Sequence, residues 1–208
     1  MIKNKTDYIF YRESDRIISG RNKKTFFDGI KLFFIPDSIS DFMTLLRTVE
    51  YYENCSKNIL DKIKSKYFKH KFRKKSLQLG FSIPPNVFGP GLFIPHYGTI
   101  VINSKATVGA NCVLHTSTCI TAKDYIEMGN NVYISTGAII AGNLKINDNV
   151  TIGANSLLNK SFNETDVLLA GSPATIIKKR KAWYLEDGVQ YENRVNEIME
   201  LKKKLYSH

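Results

Sequence analysis

The sequence predicts a mainly-β chain, a parallel β-solenoid of hexapeptide repeats with an N-terminal helical region before it and a C-terminal helix after it. Aliphatic residues recur at six-residue spacing through the middle of the chain. Glycine and asparagine recur at fixed offsets from them, and both flanks carry apolar residues at helical spacing instead.

Written in sixes, the middle of the chain aligns as VGANCV and LHTSTC, then MGNNVY, ISTGAI, IAGNLK, INDNVT and IGANSL. The leading positions are Ile102, Val108, Leu114 and Ile120, followed by Met128, Ile134, Ile140, Ile146, Ile152 and Leu158. The step from Ile120 to Met128 is longer by two residues, so a turn must bulge within 121–127. A period of six fits neither a helix nor a single strand. It fits a short strand and a turn, repeated, with one aliphatic side chain inward per unit. Stacked coils then bury a column that no single coil could bury alone. Gly109, Gly129 and Gly153 directly follow aliphatic residues. Asn111, Asn131, Asn143, Asn149 and Asn155 recur where the chain must bend, and asparagine tolerates left-handed backbone there. A string of hairpins would not hold one inward position at this spacing.

The 208 residues suit one sizeable domain, or a domain with a helical appendage, and 43% hydrophobic content supports a packed core. No run of about 18 apolar residues predicts a membrane span. The N-terminal MIKNKTDYIFYRESDR lacks the apolar stretch of a secretory signal. Cys55, Cys112 and Cys119 form no CxxC or Cys/His pattern and read as reduced thiols, which with the missing signal predicts a cytoplasmic protein. Cys112 and Cys119 fall inside the repeats, where a buried small apolar residue is expected. The net charge of +11 favours polyanionic partners. Its clearest run, Lys62–Lys75, reads first as a solvated amphipathic helix face. Peripheral association with an anionic membrane through this basic helix is the partner it would fit. Nucleic acid is not expected, because no helix-turn-helix, zinc-finger or RNP-type motif accompanies the charge.

Three regions follow: 1–78, 79–175 and 176–208. The first is largely helical from 37. Asp37 or Ser40 can cap, Phe42, Leu45, Leu46 and Val49 repeat at helical spacing, and Ile59, Leu60 and Ile63 continue a weaker face, so 37–75 reads as helical. Residues 1–36 hold aromatic clusters without a clean period and receive no assignment. In the last region, Val189–Tyr206 carries Val195, Ile198, Met199 and Leu205 at helical spacing. Lys202, Lys203 and Lys204 complement the dipole of its last turn. Packing on the protomer or on a neighbour is its expected role.

The repeats are preceded by GPGLFIPHYGTIVIN (89–103) and followed by AGSPATIIKK (170–179). This ordered set, over roughly 80–180, resembles the hexapeptide-repeat acyltransferases. It looks most like serine O-acetyltransferases and the short related enzymes of bacterial surface-polysaccharide gene clusters. The resemblance implies a left-handed parallel β-helix with three hexapeptides per triangular coil, a hand that ordinary crossover rules would not give. It further implies a shortened form of the family's N-terminal helical region, a homotrimer and acetyl-CoA as acetyl donor; the residues themselves form no metal-binding constellation, so no metal is expected.

Acetyl transfer to an alcohol needs a base for the hydroxyl proton and a donor for the oxyanion that forms. Neutral imidazole suits the first task near physiological pH. Of four histidines, His70 lies in the basic helical run and His208 is terminal. His96 stands in FIPHYGTIVIN between Pro95 and Gly98, where Ile94 precedes Ile102 by two residues more than the repeat requires. Such departures from a local rule are where functional residues are expected, and the segment resembles the one that carries the family's general base. A histidine held by backbone carbonyls is the alternative. His115 lies close to one coil later; it could bind acceptor or thioester, or merely fill a corner. Asp124 in the inserted turn and Glu50 in LLRTVEYYEN are the carboxylates that could orient His96.

Serine acetyltransferases place an aspartate directly before this histidine, where Pro95 stands here, and carry an Arg-His pair in a later loop that TAKDYIEMGNN lacks. A sugar or surface-polysaccharide hydroxyl is therefore the expected acceptor, with free serine second. For acetyl-CoA, the resemblance points to Gly137, Ala141, Gly142 and Ala154 beside the pantetheine and to the exit motif Gly171, Ser172, Pro173 and Ala174. Lys178, Lys179, Arg180 and Lys181 would meet the phosphates. A non-catalytic β-helix scaffold is the reading from another class. A zinc-binding solenoid would need three convergent histidines, and only His96 and His115 lie in the repeats.

Overall fold

The structure is a computed structural model that describes residues 1–21 and 37–207; the aromatic residues within 22–36, and His208, lie outside the described residues. Among the described residues, thirteen short strands follow one another between two sets of helices. One sheet contains β1 (Phe81–Ser82), β2 (Ile100–Ile102), β5 (Thr118–Thr121), β8 (Ile139–Ala141) and β11 (Leu157–Leu158) in that spatial order. A second stacks β4 (Val113–Leu114), β7 (Tyr133–Ile134), β10 (Val150–Ile152), β12 (Val167–Gly171) and β13 (Ala174–Lys179). The third holds β3 (Ala106–Val108), β6 (Ile126–Met128) and β9 (Leu144–Ile146). From β2 to β12 successive strands pass from sheet to sheet, and neighbours within a sheet pair in parallel except β12 with β13. The result is a three-sided parallel β-solenoid.

The six-residue column is the core. Every leading aliphatic residue from Ile102 to Leu158 is buried, none above 5% exposure. Each such side chain contributes roughly 1.5–3 kcal/mol relative to an exposed one, so the spacing that defines the repeat also supplies its stability. The longer step falls where the sequence places it. Val108 pairs with Met128, whereas Met128 pairs with Ile146 two residues sooner.

Between the third and second sheets, Asn111, Asn131 and Asn149 turn the chain with φ near +58°. Their side chains form a ladder along the prism: Asn111 donates to Asn131 (3.0 Å), Asn131 to Asn149 (2.8 Å) and Asn149 to Asp166 (3.1 Å). Asn155 takes the same backbone at the next corner. Asn143 does not; Gly142 carries the positive φ there, and the Asn143 amide instead accepts from the Asp124 N–H and donates to its carboxylate.

The three outer faces differ. The third sheet presents Thr107, Glu127 and Lys145, the last two ion-paired at 2.7 Å. The second is covered by the chain's own end: α4 (Trp183–Glu186) and α5 (Val189–Tyr206) pack Trp183, Tyr191 and Val195 against Val113 and Tyr133. The first exposes a register column of Val101, Cys119, Ile139 and Leu157. Cys119 is therefore half-exposed, and the expectation that it is buried holds only for Cys112, whose thiol pKa burial pushes up. β13 is a second difference. Past Pro173 the chain does leave the coil, but it folds back antiparallel on β12.

Helix α1 (Lys5–Ile18), capped by Asn4, lies in the stretch that had no readable period. Its buried face mixes Phe10, Ile17 and Ile18 with Ser14 and Asp15, which breaks the apolar pattern. The 37–75 helix is two helices, α2 (Ser38–Cys55), capped by Asp37, and α3 (Ile59–Leu79), capped by Asn58 and ended by left-handed Gly80. α2 carries fully buried Arg47. Its guanidinium pairs with Asp15 of α1 (2.7 Å) and Glu50 (3.0 Å) and donates to the carbonyls of Phe88 and Gly89. Asp15 accepts from the N–H groups of Gly91 and Leu92, and Glu50 from that of Asn86. Burial opposes the Arg47 charge, but the two carboxylates outweigh it and raise its pKa.

Removing one partner of such a buried set strands the others. Arg47→Ala is expected to lower unfolding free energy by roughly 3–5 kcal/mol in urea titration. A loss below about 1 kcal/mol, the range of an exposed pair, would show the cluster to be incidental.

Candidate active site at the histidine corner

Where the second sheet hands over to the first, the prism has a corner formed on successive coils by Pro95–Thr99, His115–Ser117 and Ser135–Gly137. The first of these is enlarged. Buried Ile94 and Ile100 are six positions apart, whereas their counterparts Leu114 and Thr118 are four apart. The extra residues lift His96 and Tyr97 into solvent, and Gly98, at φ +142°, closes the loop by donating to the Leu79 carbonyl at the end of α3 (3.1 Å).

His96 and His115 face one cavity of about 520 Å³, with ring centroids 6.2 Å apart. Pro95, Tyr133, Ser135 and Phe93 form its solenoid side, and Arg180, Trp183, Asp187 and Tyr191 of the C-terminal extension form the other. The volume suits a small ligand group. His115 Nε2 lies 2.8 Å from the Tyr133 hydroxyl. Burial lowers the His115 pKa below the ordinary imidazole value, and nearby His96 lowers it further. Burial raises the Tyr133 phenol, Asp187 adds to that, and Arg180 opposes it. This pair is therefore neutral around pH 7, a hydrogen-bonded unit beside an exposed imidazole.

The extension is fixed by Trp183, whose indole N–H donates to the Asn111 carbonyl at 3.0 Å. Arg180 pairs with Glu186 (3.1 Å) and Asp187 (2.5 Å) at the cavity rim. Tyr133, Trp183, Asp187 and Tyr191 are site residues that sequence reasoning missed. Tyr133 left one signal: an aromatic residue in register with Val113 and Thr151.

The two expected carboxylates do not join this site. Both Glu50 oxygens are engaged, one by Arg47 and one by the Asn86 N–H. Asp124 sits at the corner between the first and third sheets, held by Asn143. Among the expected cofactor residues, Gly137 and Ala154 stand on the histidine corner, and Gly171 to Ala174 turn the β12–β13 hairpin at its far end. Ala141 and Gly142 border the first sheet on its opposite edge. Lys178 and Lys179 are exposed on β13, whereas Arg180 turns inward to its carboxylates.

Residues 125–160 match the family of bacterial transferase hexapeptide (six repeats). A serine acetyltransferase of Staphylococcus aureus (strain Mu50) is 35% identical over 107 residues, which are 48% of this chain and 50% of that protein. The chain thus spans about half the length of the curated relatives it matches. Among solved structures, the Neisseria gonorrhoeae serine acetyltransferase in complex with serine superposes with a TM-score of 0.60 at 22% identity, over 84% of this chain and 70% of that one. The Brucella abortus (strain S19) serine acetyltransferase in complex with coenzyme A gives 0.51 at 17% identity, over 87% and 85%. These likenesses are to the fold. The family match lies inside the six-residue core, and the likeness of fold extends beyond it over most of the chain.

Proposed function

We propose that this chain transfers an acetyl group from acetyl-CoA to a hydroxyl, with His96 as general base. The observation that carries the reading is the enlarged corner. Two extra residues lift one imidazole into a cavity beside a second, neutral one, in a fold whose solved relatives include a coenzyme A complex. His96 takes the acceptor proton as its oxygen attacks the thioester carbonyl. The tetrahedral intermediate then collapses, the carbon–sulfur bond breaks, and the proton passes to the departing thiolate. His115, held by Tyr133, is placed to hold the acceptor or the developing oxyanion by hydrogen bonding without adding charge. Pantetheine would run along the corner past Gly137 and Ala154 toward the 171–174 turn, with Lys178 and Lys179 near the phosphates. The bare column of Val101, Cys119, Ile139 and Leu157 supports a homotrimer in which a neighbour covers this face.

Serine is the acceptor that the comparisons support, ahead of the sugar hydroxyl that the sequence favours. The folded chain weakens one argument against it. In place of an aspartate at Pro95 and of the Arg-His pair that TAKDYIEMGNN lacks, Arg180 and Asp187 line the cavity with opposite charges, placed to meet a serine carboxylate and ammonium once their mutual pair opens. A sugar hydroxyl remains the second reading because of Pro95, which offers no charge beside the base.

His96→Ala is expected to lower kcat by roughly 10²–10⁴-fold with coenzyme A binding retained; unchanged thiol release would end the base assignment and favour a scaffold. Offered serine, free hexoses and nucleotide sugars in parallel, the chain should release thiol with serine. Turnover with a sugar alone would reverse the order of the two readings. In an NMR titration His115 should protonate below the ordinary imidazole value of about 6.5. His96→Gln removes one of the two lowering influences, so the midpoint should rise; a fall or no change would contradict the coupling.

A further inference from the structure

Helix α3 has two apolar faces, and only one is used. Phe68, Phe72 and Leu79 point toward α2 and the first coil, where Phe72 stacks on Phe42 (5.3 Å) and Phe68 on Tyr52 (5.5 Å). Residues spaced by three and four share a helix face, so Ile59, Ile63, Tyr67 and Leu77 lie on the opposite side. They are 74%, 59%, 53% and 77% exposed. Lys66, His70 and Lys74 fall on that same outward stripe and are also exposed. The helix carries eight lysine or arginine residues against one acid, Asp61. Lys69 pairs with Glu53 and Lys75 with Asp41; the other six have no acidic partner within 4 Å among the described residues.

We infer that this outer face of α3 docks on an anionic lipid surface, the bilayer interface taking Ile59, Ile63, Tyr67 and Leu77 while the basic residues meet acidic headgroups. Lysine stems can lie along exposed apolar neighbours and carry their charge to the headgroup level, and anionic headgroups supply the charge that the helix lacks. A second copy of the same face is the poorer occupant, because it would set like charges opposite one another. No helix among the described residues is long and apolar enough to cross a membrane, so contact through α3 would lie along the surface. The docking has a consequence for the site. The end of α3 is tied to the His96 loop through the Leu79 carbonyl and the Gly98 N–H, so a docked helix keeps that loop near the surface. Under the transfer reading proposed above, acceptors confined to that surface would then be presented to His96.

The test is co-sedimentation of the full chain with phosphatidylcholine vesicles, with and without phosphatidylglycerol, at low and high salt. Binding is expected to be roughly tenfold or more tighter with phosphatidylglycerol, to weaken with salt, and to fall by a similar factor in Lys66→Glu/Lys74→Glu and in Ile63→Ser. All these side chains are exposed, so circular dichroism should be unchanged. Thiol release with a soluble acceptor should persist in these variants, which separates failure of docking from failure of the transfer reading. Equal affinity for both vesicle types, or variants that bind as the parent does, would overturn the inference. So would self-association abolished by Ile63→Ser in a chain that ignores vesicles.

Discussion

The Arg47 guanidinium joins the two architectures of this chain. A solenoid coil is stable only against neighbours, and a first coil has none on one side. Arg47 and its carboxylates fill that gap with hydrogen bonds in place of another strand layer. They satisfy the carbonyls of Phe88 and Gly89 and the N–H groups of Asn86, Gly91 and Leu92. The residues held in this way end a few positions before His96. The helices thus act on the site by fixing the coil from which its loop departs, without touching the chemistry. Glu50 belongs to this clamp, which explains why an acidic residue in α2 is no neighbour of the histidine.

The three faces of the prism divide the remaining tasks. Charge on the third sheet keeps one face in water, and Trp183 and α5 cover the second. The first keeps an apolar column in register from coil to coil. The histidine corner is the edge shared by the covered face and the bare one. One wall of its cavity comes from this chain's own C-terminus, and the other side opens toward the face left uncovered.

The column from Ile102 to Leu158 was legible because burial needs one aliphatic side chain per unit and nothing else. The two-residue steps at 121–127 and around His96 were legible as breaks in the same count. Helix α1 was not, since its buried face uses Ser14 and Asp15, and a carboxylate that meets an arginine across the fold has no local signature. The cavity was half legible. His96 and His115 follow from the repeat, but Tyr133 shows only as an unusual size at one position. Arg180 and Asp187 come from an extension whose docking, through the Trp183 indole and the packing of Tyr191 and Val195, no repeat period encodes. Asn143 failed as a turn residue because the preceding glycine already supplied the left-handed backbone.

The β12–β13 hairpin has a further consequence. A parallel solenoid ends on open strand edges that could template another coil, from this chain or from another molecule. By reversing direction after Gly171, β13 occupies the exposed edge of the second sheet with an antiparallel strand, and its exposed positions are Thr175, Ile176, Ile177, Lys178 and Lys179. An incoming coil would find the wrong strand polarity on that side. The fold therefore limits its own growth, and end-to-end fibre assembly is opposed by the same residues that bring Arg180 back toward the histidines.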